Sequence, residues 1–175
     1  MNDLHATPGP PSSPDEALLV PLRAGVLLGV LVALWTFIMG FTGWYRHPSL
    51  LFLFWLVIPI QIIVLAGMLR RTAATTSYLR QVQNGVGASI LASFIIVAGS
   101  LLFTTVVFPS YFRELEALGR LQMAQQGLRP DQIEAVVRAQ APMQTPLGSA
   151  FAGALGTWIT GLCTSLVAAA WYRKR

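Results

Sequence analysis

Charge is what this chain has least of. Asp, Glu, Lys and Arg make up 11% of its 175 residues, and residues 24–45, 50–69, 84–108 and 147–172 contain none of the four. Those stretches therefore hold no carboxylate, ammonium or guanidinium for acid–base work or ion coupling, groups that a membrane protein keeps at depth only where function needs them. Cysteine is nearly absent as well. Cys163 stands alone, which excludes an intrachain disulfide or a cysteine metal cluster; among small neighbours it reads as a packing residue. His5 falls in a polar tail and His47 in a short turn, without metal-ligand spacing. There is no Gly-rich phosphate loop ending in Lys-Ser or Lys-Thr, no His-Glu-x-x-His and no nucleophile elbow. Ser89, Ser93, Ser100 and Ser165 have no His or Lys at depth to act as base. An enzyme is not expected, and neither a metal nor a cofactor is expected.

What remains is hydrophobic. The mean hydropathy is +0.60, and 54% of the residues are hydrophobic, which places the chain in the helical-membrane class. Residues 24–45, AGVLLGVLVALWTFIMGFTGWY, reach roughly 33 Å as a helix, against a hydrocarbon core of about 30 Å. The other three stretches repeat the pattern. The expected fold is all-α, an integral membrane four-helix bundle with spans at about 24–45, 50–69, 84–108 and 147–172. A helical extramembrane loop at 109–146 joins the third and fourth helices, and 21–175 forms one transmembrane domain.

Residues 1–20 carry Pro8, Pro10, Pro11 and Pro14 among Ser, Gly and acidic residues, and this composition predicts a disordered cytoplasmic tail. A cleaved signal would need positive charge at the start and a shorter apolar region, so an uncleaved anchor is expected. The net charge of +5 does not indicate nucleic acid, because the cations flank the spans instead of forming a stripe. Arg23, Arg70, Arg71, Arg80, Arg173, Lys174 and Arg175 share one side of a four-span arrangement. Across the membrane, the four arginines of the long loop are offset by Glu114, Glu116, Asp131 and Glu134. The positive-inside rule then places both termini in the cytoplasm, in a bacterial cytoplasmic (inner) membrane. Trp44 with Tyr45, and Trp171 with Tyr172, stand at span ends where amphipathic rings favour the headgroup level.

Pro48 is expected to start the second helix after a four-residue turn, RHPS. The loop predicts two short helices: SYFRELEALGRLQMAQQG, closed by Gly127 in a left-handed stop, and PDQIEAVVRAQA, opened by Pro130 with Asp131 in its first turn. Gln61 is the most polar side chain well inside a span, two residues after Pro59. Pro59 removes one helical hydrogen bond and predicts a kink around residues 53–57 with a carbonyl in need of a partner. Two roles fit Gln61, interhelical glue or a candidate intramembrane polar site for transport.

The fourth span carries rows of small residues. Steps of four give Gly148, Ala152, Gly156, Thr160, Thr164 and Ala168, beside Ser149, Gly153, Thr157, Gly161, Ser165 and Ala169. In lipid such a face lets backbones approach closely. Gly148, Ala152, Gly153, Gly156, Thr157, Thr160 and Gly161 are therefore the candidate helix-packing or partner face. Internal packing competes with homo-oligomer formation or docking on another membrane protein, membrane lipids being the other contact expected. Gly85, Ser89 and Ser93 on the third span, and Gly25 and Gly29 on the first, offer matching surfaces.

The segments SYLRQVQNGVGASI, VVFPSYFRELEALGRLQMAQQGLRPDQIEAVV and PLGSAFAGALGTWITGLCTSLVAAAW, followed by a basic tail, resemble the bacterial membrane-protein family called domain of unknown function 4199. That resemblance covers about residues 21–175 and implies a four-helix integral membrane protein. It supplies no activity and no binding residues. The function expected is a small non-enzymatic structural or accessory component. The alternative is a subunit of an oligomeric transporter or channel, with a pathway lined by Ser93, Ser100, Thr157, Thr160 and Thr164.

Overall fold

The computed structural model describes residues 14–173, and every regular element among them is helical. Helix α1 spans Pro14–Phe41, α2 Val57–Thr72, α3 Tyr78–Leu102, α4 Tyr111–Gln125, α5 Pro130–Gln140 and α6 Pro146–Arg173. Short 3₁₀ turns at Trp44–Arg46 and Pro48–Leu56 join α1 to α2, and a π turn at Phe103–Val107 ends α3. Four of these helical stretches, Leu18–Phe41, Pro48–Thr72, Tyr78–Val107 and Pro146–Tyr172, are long and apolar enough to cross a membrane. Their outward faces bear large exposed apolar side chains such as Phe52, Ile63, Phe94, Phe151 and Val167, as lipid-facing surfaces require. The chain is a multi-pass membrane protein.

Boundaries differ from the sequence expectation at several points, among them the third helix, which begins at Tyr78 instead of 84. The proline-rich tail expected over residues 1–20 lies outside the described residues up to 13, and α1 already begins at Pro14. A proline in the first turn gives up no helical hydrogen bond. The first span ends at Phe41 instead of 45, because Gly43 turns left-handed with φ of 69° and residues 44–46 wind as a 3₁₀ turn. Pro48 does open the next element. In place of a kink, the residues before Pro59 run as nine residues of 3₁₀ helix. There the Leu53 carbonyl accepts the Trp35 indole N–H at 3.0 Å, the partner that a disturbed backbone was expected to need.

The long helices pack as a ring in the order α1, α3, α6, α2, with α3 making its most extensive contacts to α6 and α1. Glycine decides those contacts. A Cβ on Gly25 would lie 2.7 Å from the Ala88 carbonyl oxygen, and one on Gly29 would lie 2.7 Å from Ile95 Cβ, so α1 seats its backbone against α3. The α3–α6 contact is reciprocal. Gly85 faces Ser165 and Gly161 faces Ser89, where an added Cβ would stand 2.8 and 2.7 Å from the serine Cβ atoms. Each serine hydroxyl donates to the glycine carbonyl one turn back on its own helix, Ser89 to Gly85 at 2.9 Å and Ser165 to Gly161 at 2.6 Å. Two Gly-x-x-x-Ser segments thus interlock antiparallel with no polar group left over, and Ser89 and Ser165 are almost wholly buried.

Below this contact, toward the chain termini, Ala24, Leu65, Met68, Leu69, Ala88 and Ala168 form one buried apolar cluster. Gln81 is buried at the same end, and its Oε1 is the fully buried side-chain oxygen without a hydrogen bond among the described residues. The π turn closes α3 through Phe108 N–H donating to the Phe103 carbonyl at 2.8 Å. The Thr104 and Thr105 hydroxyls donate to the Ser100 and Leu101 carbonyls one turn back.

We predict that Gly161→Leu and Gly156→Leu behave oppositely, because only the first meets a neighbouring helix. Overpacking at Gly161 should destabilise by about 1–3 kcal/mol, seen as earlier melting of the detergent-solubilised protein. Gly156→Leu should leave melting unchanged or raise it, since its side chain enters open space and glycine's helix penalty is removed. Equal losses for both variants would mean that the helices close over Gly156.

Candidate functional site

Above the Gly–Ser contact the long helices do not fill the space between them. The space between them is a cavity of about 400 Å³, walled by Leu28, Val32, Ile96 and Phe103, with Phe54 and Trp55 on the 3₁₀ segment and the small residues of α6 opposite. The 3₁₀ segment makes few contacts with α6. Trp55, Gly153 and Gly156 line the cavity and are exposed, so it opens sideways between these two elements.

The small-residue face of α6 is divided by this geometry. Gly161 is buried against Ser89 and lies near the Gln61 amide. Gly153, Gly156, Thr157 and Thr160 line the cavity, and a Cβ on Gly153 or Gly156 would touch nothing within 4 Å. Ala152 points outward and is exposed. Gly148 packs against Pro142 and Thr145 of its own approach loop, not against another helix. The buried line on α6 runs instead through Ala150, Ala154, Gly161, Ser165 and Ala168, because α6 turns a different stripe to its neighbours above and below the crossing. Cys163, expected to pack, is exposed.

Gln61 sits near the middle of its span, only 5% exposed. Its Nε2 donates to the Thr157 carbonyl at 2.7 Å, tying α2 to α6 as interhelical glue. The cavity lining reaches Gln61 and Thr160 and goes no deeper. Of the residues expected along a pathway, Ser100, Thr157 and Thr160 line it and Ser93 and Thr164 do not. Ser93 is buried, donating to the Ser89 carbonyl at 2.8 Å. The arrangement is neither a continuous polar tunnel nor a fully closed bundle.

The loop is fixed to the bundle by a second cluster, which the sequence did not disclose. The Glu114 carboxylate at the start of α4 accepts from the Ser110 hydroxyl at 2.7 Å, from Arg46 Nε at 2.7 Å and from the Tyr45 hydroxyl at 2.8 Å. Tyr45 is fully buried within the protein and belongs to an aromatic cluster with Phe103, Phe108 and Tyr111. Burial, then the Tyr45 charge, push the Tyr111 hydroxyl up to about 12. The Ser110 donor above all, then Arg46 and Tyr45, hold Glu114 at about 2. Beyond this clamp the loop forms as expected. Gly127, with φ of 81°, closes α4 in a Schellman turn through Leu128 N–H to Met123 and Gly127 N–H to Ala124. Arg120 bridges Glu116 of α4 and Glu134 of α5 at 2.8 and 2.9 Å.

A sequence signal for the clamp is weak. Ser110 and Glu114 stand one helical turn apart, but their partners Tyr45 and Arg46 are 68 or more positions away. We predict that the stabilisation from Glu114 is complete above its ordinary value near 4.5 and is lost as pH falls toward about 2. Melting of the solubilised wild type should fall over that window. Glu114→Gln should melt earlier at neutral pH and show a flatter acid limb; an unchanged acid limb would assign the pH response to other carboxylates.

No curated protein and no solved structure matches the chain. A family model described as "Protein of unknown function (DUF4199)" matches residues 23–174, which takes in all four long helices, the cavity between them and the clamped loop. With that match over nearly its whole length, the chain belongs to the DUF4199 family.

Proposed function

We propose that this protein is a non-enzymatic structural or accessory component of a bacterial cytoplasmic (inner) membrane, acting on a partner through its helix faces and its outer loop. The observation that carries the reading is the interlocked Gly–Ser contact at mid-span, beyond which the cavity does not extend. A closed midsection without an ionisable group supports a scaffold better than a conduit. The rigid attachment of α4 through Glu114 holds the loop as a defined surface. Crosslinking and co-purification in native membranes test this. The expected result is a homo-oligomer or a fixed complex that survives solubilisation, with no flux in proteoliposomes. A selective flux abolished by Gln61→Leu in a folded bundle would overturn it.

A second reading, a subunit of an oligomeric transporter or channel, draws on the lateral cavity and its Ser100, Thr157 and Thr160 lining. It requires assembly, since α3 and α6, joined at Gly85, Ser89, Gly161 and Ser165, close the midsection of one copy.

The same proposal sets the orientation. Arg23, Arg70, Arg71 and Arg80 stand at the end of the bundle that carries the termini, while Arg46, Arg120 and Arg129 at the other end are engaged with Glu114, Glu116, Glu134 and Asp131. Uncompensated cations favour the cytoplasmic side. On a background with Cys163 replaced, an impermeant thiol reagent applied to intact cells should label Ala124→Cys and spare Thr75→Cys. The opposite pattern would invert the topology.

A further inference from the structure

The cavity divides its own polar groups into two sets. Thr36, Thr104, Thr157 and Ser149 donate their hydroxyls to carbonyls of their own chain segments, Val32, Ser100, Gly153 and Pro146. These groups ask nothing of an occupant. Gln61, Thr160, Ser100 and Tyr111 line the same space, and the Gln61 Oε1 and the three hydroxyls have no hydrogen-bond partner. Gln61 and Thr160 share one level, because the Gln61 amide is anchored on Thr157 and lies beside Gly161. An acceptor on a nine-tenths-buried side chain thus faces the floor of a cavity with apolar walls, at mid-span, where bulk water cannot satisfy it.

We propose that this cavity binds a neutral, lipid-soluble molecule carrying a hydroxyl group, which enters sideways from the bilayer between the 3₁₀ segment and α6. Its hydroxyl donates to Gln61 Oε1 and pairs with Thr160, and its apolar body lies along Leu28, Val32, Ile96 and Phe103. Three features select this class. The volume of about 400 Å³ falls within the range of small-molecule sites, about 300–1,000 Å³. The lining holds no Asp, Glu, Lys, Arg or His, so a charged ligand would be desolvated without compensation. The open side faces the lipid layer beside Trp55, so a ligand dissolved in the bilayer reaches the site without crossing water. The bare backbone at Gly153 and Gly156 keeps that entrance wide. This inference goes beyond the accessory role and stands on the cavity alone, whatever partner the protein serves.

Trp55, which lines the cavity and is 70% exposed, supplies the readout. The solubilised full-length protein is titrated with 12-bromododecan-1-ol or with 1-bromododecane, and the quenching that Trp55→Phe removes is taken as the cavity signal. The expected result is saturable quenching by the bromoalcohol, displaced by dodecan-1-ol and not by dodecane. Gln61→Leu should weaken it roughly tenfold, the equivalent of one hydrogen bond to a buried acceptor, and Gly156→Leu should abolish it by filling the entrance. Because Gln61 also ties α2 to α6, Thr160→Val gives the same test without breaking a helix–helix bond and should weaken the alcohol alone. Equal saturable quenching by alcohol and alkane, unmoved by Thr160→Val, would make the site a seat for an acyl chain and overturn the proposal. Quenching that never saturates, as from probe in the micelle only, would overturn it too.

Discussion

Everything in this bundle is referred to the place where α3 and α6 touch. Lipid offers no hydrophobic drive to bring helices together, since the tails around them are as apolar as the side chains they would bury. Association must come from dispersion at short range and from polar groups that find partners within the protein. The reciprocal pairs Gly85–Ser165 and Ser89–Gly161 meet both demands. Glycine admits the facing helix, and the opposing serine fills the notch while spending its hydroxyl on its own backbone. Gln61 joins α2 to the same level through Thr157.

The cavity is the consequence of this contact as much as of the residues that line it. With α3 and α6 pinned at their Gly–Ser contact, α6 turns Gly153, Gly156, Thr157 and Thr160 to the cavity, and these small residues do not reach across it. The 3₁₀ winding of Pro48–Leu56 carries the wall opposite, with Trp35 holding it at the Leu53 carbonyl. One close contact and one proline-disturbed segment together leave an opening toward lipid where a regular bundle would have sealed.

At the loop end, the controlling physics changes from packing to charge. Glu114 gathers Ser110, Arg46 and Tyr45, and its lowered pKa reflects three donors converging on one carboxylate. The aromatic rings beneath supply the apolar half of the same joint. That combination makes the α4–α5 loop an extension of the bundle.

The sequence by itself determined the four spans, the two loop helices and the Gly127 stop, because each is written locally: uncharged length, helical spacing, a residue suited to left-handed backbone. It also marked Gln61 as interhelical glue or a polar site, and the small-residue rows as a packing or partner face. Which member of a row packs is not a local property, since Gly156 and Gly161 look alike in the chain and differ only in whether α3 passes close by. The first span's end and the 3₁₀ segment depended on backbone geometry around Gly43 and Pro59 that apolar composition does not encode. Only the tertiary structure decided the cavity and the Glu114 clamp. Both arise from groups many positions apart, brought together by the crossing of helices whose mutual distance is set by the bulk of side chains on the facing surfaces.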